Sequence, residues 1–275
     1  MVQSSFASMV SSFSIAIAVT GALALAGCGP KGSKVEVLHV EDEVVGPTVP
    51  TVAGGVELTF AAADGVTIAG TYWAPKDGGE KACVLMAHQL SSTRAEYGPV
   101  VTKLIGQAHV YAIDLRGHGA STTGPAGEVG WKGFETADWE KVEIDLVGAL
   151  DVLRGKGAGE KCVVIGASIG SSATLRMAGA HPERVKGVVL LSPGLGYRGL
   201  ATPEAARNVK APVLIVHSQD KGAADAATAL AQIFEDSAVE AEVIADPGQA
   251  HGMKIVAGDE AVLEQVVGFV RATMR

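Results

Sequence analysis

The chain has 275 residues, of which 48% are apolar, 19% charged and 5% aromatic. That is too apolar for a disordered chain and long enough to bury one large core. Asp and Glu outnumber Lys and Arg 30 to 22, for a net charge of −8, which excludes a broad nucleic-acid surface because phosphate binding needs excess cationic side chains. Thirty-five Gly without a three-residue period exclude a collagen-like chain, and three Cys are too few for a disulfide scaffold. No Cys-x-x-Cys or Cys/His cluster suggests zinc.

Residues 1–30 carry no charged side chain. Within them, residues 13–26 (FSIAIAVTGALALA) form a 14-residue apolar run. That length suits a signal-peptide core and falls short of the roughly 20 residues of a membrane span. The run ends in Leu25-Ala26-Gly27-Cys28, which resembles the bacterial lipoprotein signal. The resemblance implies cleavage before Cys28 and lipidation of that residue, placing the protein in the bacterial cell envelope, on the outer membrane or facing the periplasm. Residues 1–27 are then a signal peptide, and 28–54 are the lipidated Cys and a tether. Residues 29–54 mix Pro, Gly and charge without helical periodicity; fully extended they reach about 85 Å.

From residue 55 onward strands and helices alternate. Segments 56–61 and 66–73 flank Asp64-Gly65, a two-residue hairpin signal. Segment 82–87 (ACVLMA) is wholly apolar, as expected for a strand buried on both faces. Thr93-Arg94-Ala95-Glu96 has capping-box spacing and predicts a helix to about Gly106. Strand 110–114 follows, then a helix over 137–153 with Val142, Leu146, Ala149, Leu150 and Leu153 on one face. Strand 162–165, a helix to about Ala180, strands 185–191 and 212–216, helix 223–234, strand 241–244 and helix 260–274 complete the pattern. This predicts one α/β domain over 55–275, with a mostly parallel sheet covered on both faces and an antiparallel first hairpin.

Chemistry is expected where the strands end, because in such sheets the crevice lies outside their carboxyl ends. Gly166-Ala167-Ser168-Ile169-Gly170 is a G-x-S-x-G pattern between a strand and a helix. The glycines permit a sharp turn that exposes Ser168 Oγ and frees the Ile169 N–H at a helix N-terminus. A serine hydroxyl needs a base to act as a nucleophile. His251 lies in a turn after the last strand, while His217 and His88 each end a strand. Asp220 follows the 212–216 strand directly, and Asp225 stands five residues further on.

Together these residues resemble the α/β-hydrolase family over about 56–275. The resemblance rests on His88-Gln89-Leu90 at the oxyanion loop, on Asp114-Leu115-Arg116-Gly117-His118-Gly119 and on the Gly166–Gly170 turn. It rests also on His181-Pro182-Glu183-Arg184-Val185, on Asp220 and on His251-Gly252. Gln89 stands where the family usually has Gly, and Asp220-Lys221-Gly222 is short and polar for the acid loop, which keeps Asp225 as the fallback acid. The resemblance implies an eight-stranded α/β-hydrolase fold and two-step acyl transfer. Ser168 is the nucleophile, His251 the base and Asp220 its orienting acid. The N–H groups of Leu90 and Ile169 form the oxyanion hole, each donor contributing about 2.7–4 kcal/mol. No metal or organic cofactor is expected.

Bland readings stand beside these. Ser168 is also placed to cap a helix, and His251 to brace a loop. His88 and His118 suit turn stabilisation better than catalysis, and Arg198 suits an exposed loop. Cys83 and Cys162 fit buried thiols, with a disulfide left open by an exported location. Only residues 192–211 separate the sixth strand from the next, so no sizeable lid is expected, and His88, Gln89, Tyr197 and Arg198 are candidate substrate contacts. The activity expected is a carboxylesterase acting on small or accessible acyl esters. The alternatives are a peptidase, a dienelactone-type hydrolase and an inactive surface binding module of the same fold.

Overall fold

The computed structural model describes residues 52–77 and 80–275. The proposed signal segment, Cys28 and most of the tether lie outside the described residues. Strands β1 (Val56–Ala61) and β2 (Thr67–Trp73) form the antiparallel hairpin expected around Asp64-Gly65. Then come β3 (Cys83–Ala87), α1 (Gly98–Leu104) and β4 (His109–Ile113). Two-residue strands β5 (Thr123–Gly124) and β6 (Gly127–Glu128) form a small hairpin before α2 (Thr136–Glu140) and α3 (Val142–Gly155). The chain continues through β7 (Cys162–Ala167), α4 (Ile169–Ala180), β8 (Val185–Leu191), α5 (Pro203–Asn208) and β9 (Val213–His217). It ends with α6 (Lys221–Asp236), β10 (Ala241–Ala245), α7 (Met253–Gly258) and α8 (Glu260–Met274).

The sheet runs β10-β9-β8-β7-β3-β4-β2-β5-β6, with β1 on the other side of β2. From β4 to β10 every pairing is parallel, whereas β2 is antiparallel to β1, β4 and β5. The eight long strands are those the sequence predicts; β5 and β6 are additions from the loop after β4. After β4 the chain leaves the edge it was building and returns with β7 against β3. This reversal of strand order places the carboxyl ends of β3 and β7 side by side, with Ala87 opposite Gly166. A crevice opens at such a switch point.

Both faces of the central strands are buried, as their unbroken apolar runs require. Along β3, Leu85 joins the layer formed with Leu146 and Leu153 of α3 and with Ala173 of α4. Its neighbours Val84 and Met86 join the opposite layer, with Val101 of α1 and Val266 of α8. Burying each such side chain contributes about 1.5–3 kcal/mol relative to exposure. Helix α3 buries the expected stripe of Val142, Leu146, Ala149, Leu150 and Leu153. The single helix expected over 137–153 is instead two, α2 and α3, meeting at Lys141; α2 opens behind a capping box formed by Glu135 and Asp138.

Two further expectations are corrected. Thr93 makes no side-chain cap bond, and the segment behind it is a short 3-10 turn, Arg94–Tyr97, before α1. The Glu96 carboxylate turns away to the Gln89 N–H, 2.9 Å distant. Cys83 and Cys162 are joined by a disulfide rather than standing as separate thiols. They occupy the first positions of adjacent parallel strands, just ahead of the Val84–Val163 pair, which brings their Cα atoms to 4.7 Å.

Candidate active site

Ser168 sits on the turn between β7 and α4 with φ +52° and ψ −114°, a conformation that strains a residue with a side chain. Close packing enforces the turn. A Cβ on Gly166 would fall 2.3 Å from the Gly170 carbonyl oxygen, and one on Gly170 would fall 2.1 Å from that of Ala87. Only glycines let the first turn of α4 press onto the end of β3. Ser168 stands at the N-cap position of α4, yet its side chain makes no capping bond. The residue is 9% exposed.

His251 and Asp220 come together from different strands. Asp220 N-caps α6, with Oδ1 accepting from the Gly222 N–H at 3.1 Å. Its Oδ2 meets His251 Nδ1 at 2.7 Å. One carboxylate thus divides its oxygens between a helix terminus and an imidazole. The fallback acid Asp225 is exposed on α6, one turn beyond this pair. His251 is carried to the β7 turn by the residue after it. The Gly252 N–H donates to Ser192 Oγ at 2.8 Å. A Cβ on Gly252 would lie 3.5 Å from that of Ala167 and 2.1 Å from Gln89 Oε1. The segment holding His251 therefore touches the residue before Ser168.

The third wall is the loop after β3. His88 is fully buried, and both ring nitrogens are engaged: Nδ1 donates to the Gln89 carbonyl at 2.7 Å, and Nε2 accepts the Leu115 N–H at 3.0 Å. No atom of it remains for a substrate, which corrects its candidacy as a contact. Burial, then the nearby Arg94 charge, push its pKa down to about 4. Its ring lies edge-on to His118, 5.0 Å away, and His118 stacks on Trp131 at 5.2 Å. Burial, then His88, push His118 down to about 3. The pair is a neutral, structural cluster. Because a peptide's C=O and N–H point oppositely, the bond to the Gln89 carbonyl also constrains the direction of the Leu90 N–H. Neither that group nor the Ile169 N–H has an acceptor among the described residues.

Tyr97, which the sequence did not single out, and Asp114 and Arg116 of the turn after β4 hold these walls. The Tyr97 hydroxyl, fully buried, donates to the Ala87 carbonyl at 2.9 Å and approaches that of Ile165 at 3.4 Å, spanning the ends of β3 and β7. Asp114 accepts from the Arg94 side chain and from the N–H groups of Arg94 and Ala120, both at 2.8 Å. Arg116 binds Asp145 through two bonds of 2.8 and 2.6 Å and Asp64 through two more of 2.7 and 3.2 Å. Burial works against the Arg116 charge; the bonds from Asp145 and Asp64 outweigh it and raise its pKa. On the open side, the Tyr197 ring lies edge-on to His251 with centroids 6.3 Å apart. Burial and then the Asp220 charge push its hydroxyl up to about 12. Arg198 beside it is exposed, with φ +52°. Only a short 3-10 turn and α5 lie between β8 and β9, so no lid domain is inserted there.

The sequence pattern of the serine aminopeptidase S33 family matches residues 78–253, more than half of the chain and a span that includes Ser168, Asp220 and His251. The chain belongs to this family of α/β-hydrolases. Among solved structures it is similar to an esterase of Pyrococcus furiosus, with TM-score 0.67 and 17% identity, covering 84% of this chain and 96% of that one. It is similar also to a thermostable carboxyl esterase from Bacillus coagulans, with TM-score 0.64 and 12% identity, covering 82% and 100%. An enol-lactonase from Burkholderia xenovorans gives TM-score 0.62 and 15% identity, covering 78% and 100%. These likenesses establish the α/β-hydrolase fold of the chain, and the family makes it a serine hydrolase.

Proposed function

We propose that this hydrolase is a carboxylesterase of the bacterial cell envelope, acting on small or accessible acyl esters. The observation that carries the reading is the 2.7 Å bond between Asp220 and His251, held against the strained turn that presents Ser168. Ser168 Oγ attacks the ester carbonyl while His251 Nε2 takes its proton. The Nδ1–H bond to Asp220 fixes the tautomer and stabilises the imidazolium. The N–H groups of Leu90 and Ile169 receive the negative charge that develops on the carbonyl oxygen. The imidazolium then protonates the leaving alcohol, and water, deprotonated by the same His251, releases the acid.

An ester is favoured over a peptide because the site is open. A free peptide N-terminus calls for a carboxylate facing the acyl side of the scissile bond, and the short connection from β8 to β9 carries a single carboxylate, the exposed Glu204 on α5, rather than one beside the Tyr197 ring that faces His251. The family's name keeps the aminopeptidase reading in the test, and the enol-lactonase likeness keeps a lactone or dienelactone substrate there. Purified protein is offered p-nitrophenyl acetate, a lactone and an aminoacyl anilide. Acetate hydrolysis exceeding anilide hydrolysis supports the esterase; the reverse order replaces it with a peptidase. Ser168→Ala is expected to keep the wild-type melting temperature, to lose fluorophosphonate labelling and to lose about 10⁴–10⁶ in kcat. Labelling that persists in that variant removes Ser168 from its role.

The envelope location rests on the lipoprotein-like segment before Cys28 and is supported by the Cys83–Cys162 disulfide, since disulfides persist in oxidising compartments. Three acyl chains on Cys28 would anchor the enzyme stably, where one would not. Mass spectrometry of the mature N-terminus tests this: a lipidated Cys28 is expected, and an unmodified chain beginning at Met1 refutes it.

A further inference from the structure

We propose that Glu96 is a positioning residue for the oxyanion turn: its carboxylate holds the Gln89–Ser92 segment in the shape that aims the Leu90 N–H at the reacting carbonyl. The inference rests on the oxyanion role proposed above for Leu90.

Gln89 stands where the family resemblance implies a Gly, and the turn it begins is not relaxed. Ser91 has φ +58°, in the left-handed region that residues with a Cβ avoid. A long backbone bond, from the Ser92 N–H to the Gln89 carbonyl at 3.3 Å, spans the turn. Such a turn needs external support. Glu96 supplies it at both ends. One oxygen accepts the Gln89 N–H at 2.9 Å, and the carboxylate also bonds the Ser92 side chain. The residue between these anchor points that carries the free donor is Leu90. His88 holds the carbonyl of the Gln89–Leu90 peptide, but that peptide can still pivot unless the preceding one is fixed, and Glu96 fixes the preceding one.

Glu96 is itself fixed by its neighbours in the chain. Arg94, two residues before, is tied to Asp114 and Glu57. Tyr97, the next residue, is pinned to the ends of β3 and β7. The 3-10 turn Arg94–Tyr97 is therefore a post standing on β3, which leads into the oxyanion loop, and on β7, which leads to Ser168, and Glu96 is the arm that reaches from it to the loop. The arm works in either protonation state, because a neutral carboxyl still accepts through its carbonyl oxygen and donates through its hydroxyl. Burial pushes Glu96 up to about 7 against the pull of Ser92, Gln89 and Lys254, and this leaves the geometry unaltered.

Steady-state hydrolysis of p-nitrophenyl acetate by the full-length protein tests the proposal, alongside inhibition by an aryl trifluoromethyl ketone. In that adduct Ser168 Oγ bonds the ketone carbon, the carbonyl electron pair moves onto oxygen, and the serine proton passes to His251. The resulting oxyanion reports the donors directly. Glu96→Ala is expected to lower kcat about 10- to 100-fold with KM within twofold, and to weaken the ketone by a similar factor. Glu96→Gln, which keeps an acceptor for Gln89 and a donor for Ser92, is expected to restore both to within a few-fold of wild type. If Glu96→Ala does not fold, Ser92→Ala, which loosens the same carboxylate, is expected to shift kcat and ketone affinity together by a smaller factor. Full kcat in folded Glu96→Ala, or in Ser92→Ala where that variant carries the test, overturns the proposal. So does a Glu96→Gln variant as poor as Glu96→Ala, or lost kcat with unchanged ketone affinity. Failure of the underlying reading is separate: it appears as fluorophosphonate labelling or turnover that survives Ser168→Ala, whatever Glu96 does.

Discussion

Asp145 and Asp220 each hold a nitrogenous side chain in the same molecule, in opposite settings. Asp145 is fully buried and grips Arg116 with both oxygens, while Asp64 takes a further guanidinium nitrogen. Asp220 is 33% exposed and gives His251, 30% exposed, a single oxygen. In the first pair every bond is spent on shape, joining the β1–β2 turn, the loop after β4 and α3. In the second, one imidazole nitrogen is held and the other is left for chemistry. A buried pair that loses one partner strands a charge in low dielectric, whereas a half-exposed pair that loses one partner is rescued by water. The first should therefore register as stability and the second as rate.

The sharpest way to break that contrast is Asp220→Asn. Loss of about 10⁴ in kcat is expected from the wrong imidazole tautomer, with little change in the unfolding midpoint. The control is Asp225→Asn, expected to match wild type; a crippled Asp225→Asn would move the acid to α6. Next in size is Asp145→Ala. Removing both Asp145 bonds, with Asp64 as the remaining partner of the buried Arg116, is expected to cost about 1–3 kcal/mol in urea unfolding, while the folded fraction keeps its kcat. A stable Asp145→Ala protein with impaired turnover would erase the division between the two aspartates.

The smallest expected effect concerns pH. His118 titrates near 3 when folded and near 6.5 when unfolded, so the unfolded chain binds the extra proton between these values. The stability that the neutral ring contributes is complete above pH 6.5 and is lost as pH falls toward 3. His118→Gln is therefore expected to be less stable than wild type at pH 7.5, by a margin that narrows steadily on acidification. Denaturant titrations at pH 7.5, 5.5 and 4 measure it, and a margin that stays constant would mean that His118 is not a buried neutral base.

Local pattern made much of this legible. An unbroken apolar run needs no partner to be recognised, and Cys162-Val163-Val164-Ile165 reads as a buried strand from its own residues. Ser168 and His251 are visible because glycines mark both turns. What escaped depends on which strands are neighbours. Cys83 and Cys162 stand 79 residues apart, and only the β3–β7 pairing aligns them. Glu96 has the spacing of a helix cap, and nothing local reveals that Gln89 offers a competing N–H. Helix α7 is six residues long and follows His251 too closely for periodicity to register.

The disulfide closes residues 83–162 into a covalent ring, and what the ring contains has a practical consequence. The oxyanion loop, the Arg94–Tyr97 post and the Asp114 turn all lie on it, whereas Ser168, Asp220 and His251 lie on the chain that leaves it. The exposed Pro125-Ala126 tip between β5 and β6 is the natural place for a protease to cut, and it too is on the ring. A cut there opens the circle without parting the molecule. The nicked protein runs as one species until a reductant is added and as two afterwards, so a proteolytic scar at this hairpin stays hidden wherever the disulfide remains oxidised.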